Sequence, residues 1–240
     1  MISIIYPTLN EENVIGETIK WLKSRMTLPH EVIVSDGQSK DKTVEVARLV
    51  ADKVVEYKGT TRQTIAMGRN AGAEVAVGEF LVFMDADTRI MEPDKFFTHA
   101  LSHFEKNQKL VALTVKMKVF PEAETFSDKV IFTLFSLNLR FLNNVLHRGE
   151  SMGEFQMIRK SMFDKLGGFR NDLVTREDAD MFLRLSKVGR TMLDPELTIF
   201  HSGRRAHKVG WPRLLTDWTI NTMWVLLFNK AKSKEWTVIR

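Results

Sequence analysis

Residues 78–90 read GEFLVFMDADTRI: an apolar run, Phe80 to Met84, that stops at two aspartates one residue apart. Such a run reads as a buried strand. Its end lifts Asp85 and Asp87 towards the same region of space. Three explanations of that acidic end stand open: carboxylates that hold a metal on a diphosphate, a phosphorylated nucleophile, or a cap of the following turn.

Upstream, strand and helix patterns alternate. ISIIYP (2–7) reads as a strand. EENVIGETIKWLKS (11–24) carries Val14, Ile15, Ile19 and Leu22 at helical spacing. HEVIVSDG (30–37) is a second strand, and Asp41 or Ser39 is expected to cap the helix KTVEVARLVA (42–51). KVVEY (53–57) is a third strand and TRQTIAMGRNAGAEVA (61–76) a helix, so the 78–87 strand is the fourth. This repetition implies parallel strands joined by right-handed crossovers. Ligands of such sheets sit beyond the carboxyl ends of the strands. Pro7-Thr8, Asp36-Gly37 and Asp85/Asp87 all fall there.

The second half changes character. LVALTVKMKVF (110–120) is an alternating strand. Residues 126–147 are predicted to be one helix with a polar stripe of Lys129, Thr133, Ser136, Arg140, Asn143 and His147. A strand, short helix and glycine turn (153–169), an acidic-started helix (176–189) and two short strands, TMLD and LTIFH, follow. The stretch 211–228 is a tryptophan- and leucine-rich helix. With no low-complexity linker and no repeat, the simplest division is one α/β domain over 1–210 and a C-terminal amphipathic helical extension over 211–240.

The chain has 240 residues, 44% apolar and 27% charged, with a net charge of +5. These are globular proportions. The basic excess suits nucleic acid, an anionic membrane surface or phosphate-bearing ligands. No nucleic-acid-binding module is recognisable, so nucleic acid is not an expected partner. Without cysteine there are no disulfides, thiolate metal sites or cysteine nucleophiles. The N-terminal apolar run lacks a basic leader and is cut by Pro7, which argues against a signal peptide. No stretch reaches the ~18 apolar residues of a bilayer span. The expectation is a cytoplasmic protein that is free to lie on a membrane.

Mg²⁺ or Mn²⁺ on a diphosphate is held by one or two carboxylates plus phosphate oxygens and water, which suits Asp85 and Asp87. The glycine and distal glutamate of an EF-hand are missing. Asp36-Gly37 is a turn dipeptide and Asn10 a helix-cap residue by type, although Asp36 is also placed to accept a hydrogen bond from a base or ribose. Neither a P-loop nor a G-x-G-x-x-G after a strand is present. Arg204 and Arg205 suit bidentate contacts to a donor diphosphate or an acceptor phosphate.

The end of the fourth strand can be set against the D-x-D-x-T motif of haloacid-dehalogenase-type phosphatases. That family places the motif on its first strand, however, and no G-D-x-x-x-D motif follows here. A fuller resemblance runs through PTLNEE, VSDGQSKDKT, GRNAGAEVAVGEFLVFMDADT, LGGF and REDADMFLRL. In this order they are similar to the family 2 glycosyltransferases, over about residues 2–203. The resemblance implies a GT-A fold, a mixed sheet flanked by helices. It also implies inverting transfer from a nucleotide-diphosphate sugar, UDP- or GDP-linked by family habit, with Mg²⁺ or Mn²⁺ as cofactor. It places Pro7, Thr8, Leu9 and Glu11 in the nucleoside pocket and Asp36 on the base. Arg62, Asn70 and Ala86 fall in the donor region, and Asp85 contacts ribose and sugar. Asp87 is implied as metal ligand, Asp178 as catalytic base with Glu177 beside it, and His201 as a further metal or diphosphate ligand, for which His207 is a rival. A non-catalytic sugar-nucleotide binder is the remaining reading.

The helices at 126–147 and 211–228 are more apolar than a soluble surface requires. Trp211, Trp218 and Trp224, with Arg213 and Lys230 nearby and with Arg140 and Arg148 bordering the first helix, suit a position at the headgroup level. That points to a membrane surface and an acceptor such as a glycan or a polyprenyl phosphate. Packing on the sheet or on a second subunit is the alternative.

Overall fold

The computed structural model describes residues 1–231; residues 232–240, the end of the predicted extension, lie outside the described residues. The first half runs β1 (Ile2–Thr8), α1 (Ile15–Lys23), β2 (His30–Asp36), α2 (Thr43–Arg48), β3 (Lys53–Glu56), α3 (Ile65–Glu74) and β4 (Phe80–Met84). As expected, β1 pairs in parallel with β2 and β4, and β2 with β3. The second half runs α4 (Pro93–Lys106), β5 (Leu110–Val119), α5 (Phe126–Arg140), β6 (Phe155–Arg159), α6 (Lys160–Lys165), α7 (Glu177–Ser186), β7 (Arg190–His201), α8 (Arg204–Val209) and α9 (Trp211–Phe228). The strand order is β3-β2-β1-β4-β6-β5-β7. β6 is antiparallel to both its neighbours, and β5 and β7 are parallel, so the sheet is mixed.

Alternation along the strands builds a core on each face. Ile4, Tyr6, Val32, Val34, Val82 and Met84 meet Ile15 and Ile19 of α1 and Phe97 and Phe104 of α4. Ile5, Ile33, Leu81 and Phe83 meet Ala66 and Ala73 of α3 and Phe182 and Leu185 of α7. Strands buried on both faces lose the polar alternation of a surface strand, which is why the 80–84 run is wholly apolar. Gly72 lets α3 approach β1, because a Cβ there would stand 2.4 Å from Ile5 Cγ2.

Several local features differ from the sequence expectation. The helix predicted over 126–147 is regular only to Arg140. A π-helical turn, Phe141–Val145, follows, with Leu146 N bonded to Phe141 O. Asn143, expected on the exposed polar stripe, is buried there, and its amide donates to the carbonyls of Leu139 and Glu150 at 2.8 and 2.7 Å. The two short strands expected at 191–201 are one strand, β7, interrupted by a bulge. α4 occupies a stretch left unassigned, and α8 occupies one expected as a basic loop. Lys42, rather than Asp41 or Ser39, holds the N-cap position of α2; Asp41, one residue earlier, accepts from Thr43 N at 2.9 Å.

Candidate functional site

Beyond the carboxyl ends of β1, β2 and β4 lies a cavity of about 670 Å³. Its floor is Pro7, Thr8, Leu9, Ser35, Gly37, Asp85, Ala86 and Asp87, with Arg62 nearby on the loop before α3. Glu177 and Asp178, at the first turn of α7, line the same space. α5 and α9 supply an apolar wall that includes Phe135, Leu139, Trp211 and Trp218. This size and mixture suit an organic ligand with a few fixed polar contacts.

Two loops are laced together at the cavity edge. Asp36 accepts from Ser39 N and Oγ at 2.8 and 2.5 Å and from Thr8 Oγ1 at 3.2 Å. These contacts turn the loop and leave Asp36 itself off the cavity wall, between the lining residues Ser35 and Gly37. Asn10, with φ of 57°, accepts from Lys40 N at 2.8 Å rather than capping a helix. Glu11 lines the cavity, but its carboxylate is held by the Arg204 guanidinium at 2.9 and 2.7 Å.

Arg204 lines the cavity as well, with its guanidinium engaged by carboxylates. Its remaining edge, Nε, is 3.2 Å from Asp87 Oδ2, which also accepts from Ser202 Oγ. The guanidinium joins the β1 loop to the Asp87 carboxylate and orients both, while Arg205 lines the cavity beside it. Asn70 also differs from expectation. It binds the backbone N and O of Phe169 at 2.9 and 2.8 Å, fastening α3 to the glycine turn away from the cavity lining.

The sequence reading missed Arg69. Its side chain is 2% exposed, bonds Glu177 Oε1 and Gly153 O, each at 2.8 Å, and lies 3.8 Å from Asp85 Oδ1. One cation thus joins the end of β4, the start of α7 and the loop before β6. Its spacing held the clue: Ala66, Arg69 and Ala73 share the face of α3 that meets the sheet. Glu150 and Glu154 also line the cavity and were missed. Glu150 pairs with Arg176 at 3.0 Å, and Arg176 also donates to Thr222 of α9 at 3.1 Å.

The crowding of carboxylates shifts their titration. Burial pushes Glu154 up to about 8, with the charge of Asp85 adding to the rise. Burial and the neighbouring Asp178 push Glu177 up to about 7 against the pull of Arg69. Asp85 keeps 40% of its side chain open to the cavity, yet seclusion from bulk water takes it to about 6; Arg69 opposes the rise and Asp87 adds to it. Like charges and burial acting together mark a place that would take up a cation. The oxygen donors of Asp85 and Asp87 fit a hard divalent ion such as Mg²⁺ or Mn²⁺.

His201 closes the floor, 8% exposed and edge-on to Phe132. Burial lowers its pKa, so the ring is neutral. Its Nδ1 accepts from Gly203 N at 3.2 Å, which leaves the proton on Nε2. Nε2 is buried with no partner among the described residues. The rival His207 is taken up by Asp128 at 2.8 Å.

Residues 3–167 match the family model described as glycosyl transferase family 2. The chain belongs to glycosyl transferase family 2. A beta-monoglucosyldiacylglycerol synthase of Nostoc sp. is 24% identical over 99% of this chain and 54% of its own length. An uncharacterized glycosyltransferase of Haemophilus influenzae is 29% identical over 77% of this chain and 62% of its own. The chain thus spans little more than half the length of these relatives. Among solved structures, a mannosyltransferase from Pyrobaculum calidifontis in complex with GDP-Man and Mn²⁺ superposes with a TM-score of 0.72, 20% identity, and coverage of 97% of this chain and 65% of that one. TarS of S. aureus in complex with UDP gives 0.63 at 22% identity, covering 83% and 59%. These likenesses show the GT-A fold for this family 2 member.

The family 2 match ends before α7, so the Glu177-Asp178 pair lies outside the matched segment. The phosphatase comparison fails on residues as well as on strand order. Thr88 follows Asp87 directly and Arg89 holds the place where D-x-D-x-T requires threonine. Thr88 Oγ1 is spent on Asp85 O at 2.7 Å.

Proposed function

We propose that this protein transfers a sugar from a UDP- or GDP-sugar to an acceptor hydroxyl or lipid phosphate, with inversion at the anomeric carbon. The observation that carries the reading is one cavity bounded both by Asp85/Asp87 at the end of β4 and by Glu177/Asp178 at the start of α7. Asp87, oriented by Ser202 and Arg204, holds Mg²⁺ or Mn²⁺ on the diphosphate with Asp85 beside it. A bound divalent ion supplies charge neutralisation at the departing nucleoside diphosphate. Pro7, Thr8, Leu9 and Arg62 seat the nucleoside end, with Asp36 shaping the loop they stand on.

Asp178 takes the proton from the acceptor hydroxyl as that oxygen attacks the anomeric carbon. The bond to the diphosphate breaks on the opposite side and its electron pair leaves with the nucleotide. Glu177, locked by Arg69, fixes the α7 terminus that carries Asp178. His201 donates from Nε2–H to a diphosphate oxygen. This role fits the Gly203 contact better than metal ligation does, because a ligating Nε2 would have to give up its proton.

Residues 1–210 form the catalytic unit in this reading, and α9, the described part of the 211–240 extension, walls the acceptor side. The Nostoc relative's name refers to a lipid product, which supports a lipid acceptor here. Phe126, Val130, Leu134, Leu137, Phe141 and Val145 recur every three or four residues and are all exposed. So are Met223, Trp224, Leu226, Leu227 and Phe228 near the end of α9. No helix among the described residues is long and apolar enough to cross a membrane. These faces suit a cytoplasmic enzyme lying on the bilayer surface.

The test is release of nucleoside diphosphate from a panel of UDP- and GDP-sugars with Mn²⁺ and lipid or glycan acceptors. Acceptor-dependent release is expected. Nucleotide binding without release across the panel would favour the non-catalytic reading instead.

A further inference from the structure

Away from the catalytic cavity, α4 and β7 bring two imidazoles and a carboxylate to one point. His99 and His103 stand one helical turn apart, so both project from the same side of α4. Their Nε2 atoms are 3.2 Å from each other, and 2.9 and 2.7 Å respectively from Asp194 Oδ2. Asp194 sits at the β7 bulge, the last residue in register with Val115 before pairing resumes at Thr198. Bulges re-aim side chains, and this one turns Asp194 under α4, where its side chain is 3% exposed. Its other oxygen, Oδ1, accepts from Glu196 N at 2.7 Å, which fixes the carboxylate plane.

Hydrogen bonding alone serves this triangle poorly. If both imidazoles donated to Oδ2, two N–H groups would confront each other across 3.2 Å. If only one donated, the other would turn a lone pair towards the carboxylate. Three lone pairs meeting around a cation leave no such conflict.

We infer that His99, His103 and Asp194 form a second metal site, selective for a borderline transition ion of the zinc type and separate from the Asp85/Asp87 site. Imidazole nitrogens favour zinc, nickel or copper, whereas an all-oxygen site favours magnesium or manganese. Ligand atoms around tetrahedral zinc lie about 3.3 Å apart, given bonds of roughly 2.0–2.1 Å. The observed triangle therefore opens by a few tenths of an ångström on binding. The imidazoles, 37% and 30% exposed, have room to make that shift and leave a path from solvent. Glu196 Oε2, 3.9 Å from His99 Nε2 and on a 77% exposed side chain, can swing in as a fourth ligand. The bound ion would clip α4 to β7, the edge strand of the sheet.

The experiment strips the full chain with chelator, then equilibrates it with micromolar zinc in buffer containing excess Mg²⁺. Zinc content is read by elemental analysis and ligand type by X-ray absorption. Wild type is expected to retain a single zinc with two imidazoles in its shell and a raised Tm. His99→Gln and His103→Gln, both at the surface, should each weaken binding by more than ~100-fold, beyond the loss typical of outer-sphere changes. Asp87→Asn should leave zinc binding intact. The inference is overturned if wild type retains no zinc, if the histidine variants, shown folded by circular dichroism, retain it unchanged, or if Asp87→Asn alone abolishes it. None of these outcomes depends on glycosyl transfer.

Discussion

Arg69 and Glu177 form an ion pair at 2.8 Å in which the two side chains are 2% and 7% exposed. Removing one partner of a buried pair strands the other charge, at a cost of roughly 3–5 kcal/mol. Arg69→Met should therefore lower the unfolding free energy by about that amount in urea titrations. Arg69→Met combined with Glu177→Leu should recover much of the loss. A single variant as stable as wild type would show that the pair is not what holds α7 to α3.

Asp178→Asn should reduce turnover by ~10²–10⁴-fold, the usual contribution of a general base, while the nucleotide-sugar Kd stays within a factor of a few. Near-normal turnover would remove Asp178 from the role of base.

Asp87 and His201 separate by readout. Asp87→Ala, or chelation of the wild type, should abolish Mn²⁺-dependent binding of nucleoside diphosphate in calorimetry. His201→Phe should weaken nucleotide binding by about 10–100-fold, the equivalent of one hydrogen bond to a charged group, while leaving Mn²⁺ affinity unchanged. Loss of Mn²⁺ affinity in that variant would make His201 a metal ligand after all.

Glu154 carries a signature in pH. Its ordinary value is 4.5 and the cavity lifts it to about 8. The folded state then holds a proton that the unfolded state has lost, so this group's stability contribution is full below the ordinary value and disappears as pH rises through about 8. Glu154→Gln should track the wild type's Tm in acid and gain on it steadily up to that point. A constant difference between the two across pH 5–9 would contradict the shift.

If α5 faces lipid, wild type should float with anionic vesicles at low salt and less at high salt. Leu134→Glu with Leu137→Glu, both on the exposed stripe, should abolish flotation without lowering Tm. Failure of the wild type to float at low salt would remove the membrane reading.

Much of the first half could be read from periodicity alone, because β1, β2 and β4 are buried on both faces and say so in unbroken apolar runs. Contacts made by folding were harder to see. Arg204 suits a phosphate by type, but its pairing with Glu11, 193 positions away, has no trace in the local sequence. Asn143 looks exposed by spacing, but a π-turn rotates it inward, and no 3.6-residue template anticipates that change of phase. Arg69 went unnoticed because a buried arginine makes sense only once Glu177, 108 positions on, is known to sit against it. The Asp85/Asp87 and Glu177/Asp178 pairs were legible because motif order identifies them without any knowledge of their partners.

Arg176 touches both Glu150 and Thr222, and it immediately precedes Glu177 and Asp178. Its own backbone stands at φ 66°, a conformation that resists small adjustment. The α9 wall of the cavity and the helix terminus that carries Asp178 thus meet at one residue. One side chain therefore spans the outer helix, the Glu150 loop and the start of α7, so loss of Arg176 would loosen two walls of the cavity together.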